Sequence, residues 1–541
     1  MDTIQRLLPQ GLPVSLQVVA ATLLLGFIYS IITKERPFSA FPVIALDGKS
    51  ARKTWLFNGR KAMIEGVRRF SGPFQVVTGT GPKIILPNRF ADELRNHPAL
   101  DFGKAFSKVR KDAMSPSQDD DSLYHLCNYG SANWLLKDFP VNYPGFEPHK
   151  QGLSDGGLIS EVVRVKLTQS LNLVTDDLID ETTTGLHDIF GESEEWQTFT
   201  IRDAIADLVA RLSSRVFLGK ELCRNERWLD IAKTYTVDSF ATAFIMRATP
   251  ALMRPITYWL LPQAKRTRQA VKDAKVLITP VMEQRKAIVE EALAAGKKPP
   301  KTADTLGWMY EIAKTRNLNP DYSAAQLSLT MAAIHTTTEA TCQALLDVCE
   351  HPEVAEQLRQ EVIEVLSENG WAKTSLYKLR LMDSFIKEGQ RFRPMSSASM
   401  NRYVEKEIEL SDGTILPKGS RVSVASSFHD PSIYPDPERF DAARFLRMRQ
   451  QTGQENSWQF VTTTPAFLLF GHGQHACPGR FFASNEVKIA LCFFLLKYDW
   501  RFVPGEGGRP APRAFEANLS TDPAAKIQAR RRKAEIDLDN L

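Results

Sequence analysis

The stretch Phe467–Ala483, FLLFGHGQHACPGRFFA, constrains this chain more than any other. Gly471 and Gly473 allow a tight loop with backbone angles that other residues avoid. Pro478 suits the first turn of a helix, and the apolar run Phe481–Leu496 continues as one. Cys477 then stands where a loop meets a helix N-terminus, where free N–H groups and the helix dipole stabilise a thiolate. Gly479 has no side chain, so a large flat group can lie against the helix start. A buried thiolate beside a flat group is what haem ligation requires. The other cysteines, at 127, 223, 342, 349 and 492, form no CxxC pair and no zinc-type spacing. They read as small buried hydrophobes.

Phe470, Gly473, Cys477 and Gly479 match, at the right spacing, the loop FxxGxRxCxG of the cytochrome P450 family, which the chain resembles. The resemblance implies that Cys477 is the axial ligand of a haem iron, with Phe470, Gly473, His475 and Gly479 around the cofactor. His475 departs from the pattern: it replaces an arginine that pairs with a haem propionate. Glu388 and Arg391 form the family's ExxR pair. Pro437-Glu438-Arg439-Phe440 resembles its PERF segment, so Arg439 is expected to complete a buried charge network with that pair. Ala332-Ala333-Ile334-His335-Thr336-Thr337 resembles the oxygen-binding helix motif AGxDTT, and Thr336 falls on the threonine that helps deliver protons. Ala333 replaces a glycine and tightens the pocket. His335 replaces an acid and is expected to relay protons as an imidazole; the alternative is that it packs outward and Glu339 or water serves. Arg402 falls on a strand arginine that pairs with a propionate, and Arg164 or Lys166 offers a second cation. Pro394–Ser397, with Met395 and Ser396, is expected to line the substrate pocket beside Ala332 and Ala333.

The remaining sequence fits one large domain behind an anchor. Leu12–Ile32 runs about 20 residues without a formal charge, enough to span a hydrocarbon core as a helix. Lys34, Glu35 and Arg36 follow, then Pro37 and Pro42. Residues 1–36 are therefore read as a single-pass anchor in the endoplasmic reticulum membrane, and 37–541 as a cytosolic catalytic domain. Phe74–Pro87 has the alternation of a β-hairpin. The chain from about Gly156 to His351 is mostly helical, with Leu158–Leu178, Ala204–Leu218 and Leu327–Cys349 as examples. Strand signals return between Met400 and Val422, with turns at Ser411-Asp412-Gly413 and Pro417-Lys418-Gly419. The fold class is mainly α with small β-sheets, the cytochrome P450 fold. The run Arg530–Lys533 reads as a last strand with a solvated end rather than a targeting signal. Val109–Lys137 fits no expected element and reads either as a long surface loop or as a retained intron.

A net charge of +5 over 541 residues argues against nucleic acid as a partner. The flavour of FGHGQHACPGRFFASNE and IHTTTEA resembles fungal secondary-metabolism enzymes, including the ent-kaurene-oxidase-like group. That implies a monooxygenase that oxidises a terpenoid, polyketide or related lipophilic metabolite. No flavin or nicotinamide fingerprint is present, so the implied electron donor is a membrane-bound NADPH–cytochrome P450 reductase, with cytochrome b5 as a second candidate. Two other classes fit the same cysteine loop: a haem-thiolate isomerase or dehydratase, and a non-catalytic haem-binding protein.

Overall fold

The computed structural model describes residues 36–107, 142–154, 157–249, 253–300, 302–372 and 374–541. The expected anchor and the Val109–Lys137 segment lie outside the described residues. Among the described residues no helix is long and apolar enough to cross a membrane.

The helices that frame the site are α1 (Ala51–Arg69), α2 (Leu171–Phe190), α3 (Ile201–Leu218), α4 (Glu226–Ala248), α5 (Pro262–Ala294), α6 (Tyr322–Glu350), α7 (Arg380–Phe392), α8 (Arg444–Arg449) and α9 (Arg480–Lys497). The strands are β1 (Phe74–Thr78), β2 (Gly81–Leu86), β3 (Leu100–Asp101), β4 (Gln197–Thr200), β5 (Ala398–Val404), β6 (Ile408–Glu409), β7 (Ile415–Leu416), β8 (Arg421–Ala425), β9 (Tyr498–Phe502), β10 (Arg513–Phe515), β11 (Asn518–Ser520) and β12 (Lys526–Arg531). One sheet has the order β1-β2-β8-β5-β3 and another β4-β12-β9, with β6–β7 and β10–β11 as separate hairpins. The expected hairpin is β1–β2, closed by the pair Thr78↔Gly81. The run Arg530–Lys533 starts inside β12, which pairs with β9.

The long central helix α6 starts cleanly because Asp321 caps it, its carboxylate accepting the N–H groups of Ser323 and Ala324 at 3.0 Å each. Its apolar residues join those of α2, α3 and α9 in one large core. The expected helix Leu158–Leu178 is instead broken. Val162–Leu167 is π-helical, and a turn at Ser170 precedes α2. The hydroxyl of Thr168 donates to Val163 O five residues back, at 2.9 Å, and so competes with the α-helical pattern there.

Helix α9 carries one acid into that core. Glu486 is buried; its Oε1 accepts from Ser213 Oγ at 2.9 Å, and its Oε2 has no partner. Burial pushes its pKa up to about 8 from 4.5, so the folded chain holds a proton there that the unfolded chain gives up. A raised acid contributes stability at low pH that is lost as pH rises from 4.5 to about 8. Glu486→Gln is expected to remove this loss and to flatten stability across the same window. Denaturant titrations of the two proteins at several pH values in that window check it; parallel curves would contradict it.

Candidate active site

The cysteine loop is held from both ends and from below. Cys477 N donates to Phe470 O at 2.7 Å, and Gly471 N to Leu468 O at 3.0 Å. Gly473 adopts φ +75°, and a Cβ there would sit 2.5 Å from Arg95 Cβ and 2.8 Å from Arg95 O. Glycine is thus required by a close approach as well as by the turn. Two residues of the loop meet the same early segment: Gln474 N donates to Asn96 Oδ1 at 2.8 Å, and the buried His472 ring bonds Asp92 Oδ1 at 2.9 Å. His472, Asp92 and Asn96 were not legible in the sequence, since they are neighbours only across some 380 residues. A further unforeseen support is Lys387, fully buried. Its ammonium lies 3.6 Å from the centroid of the Phe467 ring and donates to Gln459 O at 2.9 Å.

Helix α9 begins at Arg480 with Gly479 as its cap, two residues later than Pro478 suggested. The amide N–H groups of Gly479 and Arg480 bond to Cys477 Sγ as expected of a helix start, and the Arg480 guanidinium lies near. In the protein alone burial outweighs them and pushes the Cys477 thiol above its ordinary value. A metal is therefore what would hold this sulfur as a thiolate. In front of it, a Cβ at Gly479 would meet Val163 Cγ1 at 3.7 Å and Cys477 Sγ at 4.0 Å, with no tighter contact. A side-chain carbon at Gly479 would therefore make ordinary van der Waals contact with these two residues and no clash.

Helix α6 carries the Ala332–Thr337 motif. From Ser323 to Val348 its exposed positions are Ala332 and Thr336, one turn apart on one face; Ala333 is half-buried. Two exposed residues in the middle of an otherwise buried helix open a window onto a space. Thr336 Oγ1 donates to Ala332 O at 2.9 Å, keeping its oxygen free as an acceptor. His335 does not share this face. One residue along a helix turns the side chain by about 100°, and the His335 ring bonds to the backbone of Lys233 on α4 and lies near Arg202 on α3. Burial, then Arg202, push its pKa down, and its Nε2 has no partner. The expected pairing of His335 with Thr336 is therefore not brought together. Glu339 is no substitute: its carboxylate is taken by Thr521 N at 2.8 and 2.9 Å and by Gln343 Nε2 at 2.8 Å.

Arg402 is the best evidence for a missing anion. It is 3% exposed, yet among the described residues its guanidinium has no carboxylate partner; it donates to Asn401 O at 2.8 Å. Burial pulls its pKa down to about 10. A buried, unpaired cation is costly unless a negative group arrives. Its guanidinium carbon lies 5.6 Å from the ring centroid of Phe102, and that ring stacks on the exposed His475 at 5.6 Å. Arg402 and His475 thus flank one aromatic side chain, a pair of donors suited to the carboxylates of haem. Lys166 is excluded as a third, because Glu311 Oε2 holds it at 2.8 Å; Arg164 is exposed and forms no ion pair among the described residues.

The buried charge network forms, with one correction. Arg391 Nε and NH2 lie 2.8 and 2.9 Å from the two oxygens of Glu388, both residues 0% exposed. The third member is Arg444, whose Nε lies 3.1 Å from both Glu388 oxygens. Arg439 is exposed and contributes only its carbonyl, which accepts from Arg444 NH2 at 2.9 Å. The guanidinium of Arg444 also gathers the carbonyls of Pro435 and Asp436, so the turn carrying Arg439 wraps around it. Arg-Phe stands at both 439–440 and 444–445, and of these two only the second lies on a helix packed against α7.

Met395 and Ser396 sit where the chain leaves α7. Met395 O accepts Leu519 N at 2.9 Å, and Ser397 N donates to Ala517 O at 3.3 Å, so this segment is pinned to the β10–β11 hairpin. At the hairpin tip the half-exposed Phe515 ring packs edge-on against Phe244 of α4, at 5.6 Å.

A cysteine sulfur at a helix start, a buried guanidinium with no carboxylate partner among the described residues, and a buried helix that exposes a threonine are together the parts of a haem-thiolate site. Comparison with known proteins names the family. The family model for cytochrome P450 matches residues 162–528. The chain is 41% identical over 516 residues to the cytochrome P450 monooxygenase bsc2 of Alternaria brassicicola, covering 94% of this chain and 92% of the relative. It is 37% identical over 533 residues to the cytochrome P450 monooxygenase hepE of Aspergillus oryzae, covering 97% and 91%. A solved structure, the retinoic acid bound cyanobacterial CYP120A1, shares the fold at a TM-score of 0.57 and 16% identity, over 88% of this chain and 96% of that one. The chain belongs to the cytochrome P450 family and is a monooxygenase whose cofactor is haem with an axial cysteine thiolate.

Proposed function

We propose that this enzyme oxidises a lipophilic metabolite, a terpenoid or polyketide of fungal secondary metabolism, beside the middle of α6, where Ala332 and Thr336 are exposed. The window itself carries the reading: one methyl and one hydroxyl exposed on a buried helix, with no exposed charged side chain between Ser323 and Val348. An apolar substrate suits such a wall. The similarity to named fungal monooxygenases supports the same class. Haem ligated by Cys477 supplies the activation of dioxygen.

The chain's own residues do the rest. The loop from Phe470 to Gly479 fixes the sulfur, with Cys477 N held by Phe470 O at 2.7 Å. Arg402 and His475 hold carboxylates of the cofactor. Met395 and Ser396 close the substrate side with Ala332 and Ala333. Thr336 Oγ1 holds a proton at the window and passes it inward. Electrons arrive from an NADPH–cytochrome P450 reductase, with cytochrome b5 as a further donor, at an endoplasmic reticulum membrane to which residues 1–36 anchor the chain.

Thr336→Ala is expected to lower product formed per NADPH consumed by about tenfold or more at unchanged haem content. His335→Ala is expected to leave that ratio near wild type, since its ring lies on the α3–α4 side. Measuring NADPH use against product in the reconstituted system checks both. A loss with His335→Ala and none with Thr336→Ala would reverse the assignment. Product that forms without oxygen or NADPH would remove the monooxygenase reading of the substrate step.

A further inference from the structure

Strand β5 does not run evenly along β8. Ser399 pairs with Val424 and Arg402 with Val422, so three steps on β5 oppose two on β8. That extra residue is a β-bulge. Met400 takes φ +53°, an uncommon angle for a side-chain-bearing residue. The position matters because strand side chains alternate faces. One residue more or less would turn Arg402 to the opposite side of the sheet.

Something must hold the bulge against its strain, and the side chain of Asn401 is placed to do so. Its Oδ1 accepts Lys83 Nζ at 2.9 Å and Ser423 Oγ at 2.6 Å. Lys83 lies on β2, Ser423 on β8 and Asn401 on β5, so one carboxamide oxygen stitches three adjacent strands. The carbonyl of the same residue accepts from Arg402 NH1 at 2.8 Å. Both polar ends of Asn401 are therefore committed, one to the sheet and one to the guanidinium.

We propose that Asn401 is the positioning residue for Arg402: clamped by Lys83 and Ser423, it sets the bulge and aims the guanidinium at the carboxylates of the cofactor. This rests on the reading of Arg402 as a carboxylate partner of haem. Asn401 itself touches neither the cofactor nor the substrate and acts through Arg402 alone.

The test compares Arg402→Ala, Asn401→Ala, their double variant and Asn401→Asp in the full-length holoenzyme. The readouts are the rate of haem loss to excess apomyoglobin and the midpoint potential of the iron. Arg402→Ala is expected to speed haem loss about tenfold and to shift the potential, as losing a charge-assisted pair would. Asn401→Ala should move both readouts in the same direction, and the double variant should be no worse than Arg402→Ala alone. Asn401→Asp keeps an oxygen for Lys83 and Ser423 and should restore both. If Asn401→Ala lowers only the melting temperature, or if the double variant is additive, the proposal is overturned. If Arg402→Ala itself leaves both readouts at wild type, the reading of Arg402 fails first and the proposal with it. Should Asn401→Ala not accumulate as holoenzyme, Lys83→Met and Ser423→Ala each remove one donor to Oδ1. A wild-type potential and haem-loss rate in both would overturn the proposal equally.

Discussion

Arg444→Ala is expected to cost the chain about 3–5 kcal/mol, while Arg439→Ala changes its stability by less than about 0.5 kcal/mol. The difference follows from what each change leaves behind. Glu388 is fully buried, and its two oxygens are shared between Arg391 and Arg444. Truncating Arg444 strands part of a carboxylate charge without water. It also frees the carbonyls of Asp436 and Arg439, which the guanidinium now holds at 3.1 and 2.9 Å. Truncating Arg439 removes an exposed side chain and leaves that carbonyl in place. Haem content should fall with Arg444→Ala, because Arg391 also bonds Phe428 O at 2.6 Å, and the Phe428 ring packs at 5.2 Å on Phe467, where the cysteine stretch begins. Urea titrations of the two variants settle the matter. Equal losses would return the third place in the network to Arg439.

Cys477→Ser is expected to abolish monooxygenation while leaving the apoprotein within about 1 kcal/mol of wild type. A serine oxygen fits the half-buried position and can accept the same amide N–H groups of Gly479 and Arg480. What it cannot supply is a soft anionic sulfur. On a haem iron held by Cys477, a thiolate would supply the electron density needed to activate dioxygen, and no neighbouring side chain replaces it. The other described cysteines lie elsewhere, Cys223, Cys342 and Cys492 buried and Cys349 half-buried, and burial pushes all four thiols up. Product assays at matched protein levels check the first half of the expectation, and thermal melts the second. Retained turnover in Cys477→Ser would mean that another ligand serves.

The parts of this site that were legible in the sequence are those whose logic is local. Gly471, Gly473, Cys477 and Gly479 lie within nine residues, and their spacing alone shows a tight loop leading into a helix start. Glu388 and Arg391 lie one helical turn apart, so their pairing needs no tertiary information. The β1–β2 hairpin and α9 follow from alternation and from a continuous apolar run. What escaped depends on contacts far along the chain. Gly473 is forced by Arg95, and His472 is anchored by Asp92, but nothing near either residue says so. The choice between Arg439 and Arg444 turns on which one a wrapped turn delivers to Glu388. The orientation of His335 turns on where α3 and α4 pack against α6. The bulge at Met400 is invisible to a period-two pattern, yet it decides the face on which Arg402 lies.

The central claim is that Cys477 ligates a haem iron as a thiolate, and the reduced, carbon-monoxide difference spectrum of membranes expressing the full chain tests it most directly. The account predicts a red-shifted Soret band that persists in Arg439→Ala and disappears in Cys477→Ser. An unshifted band in the unaltered chain, or a shifted band that survives Cys477→Ser, would contradict it.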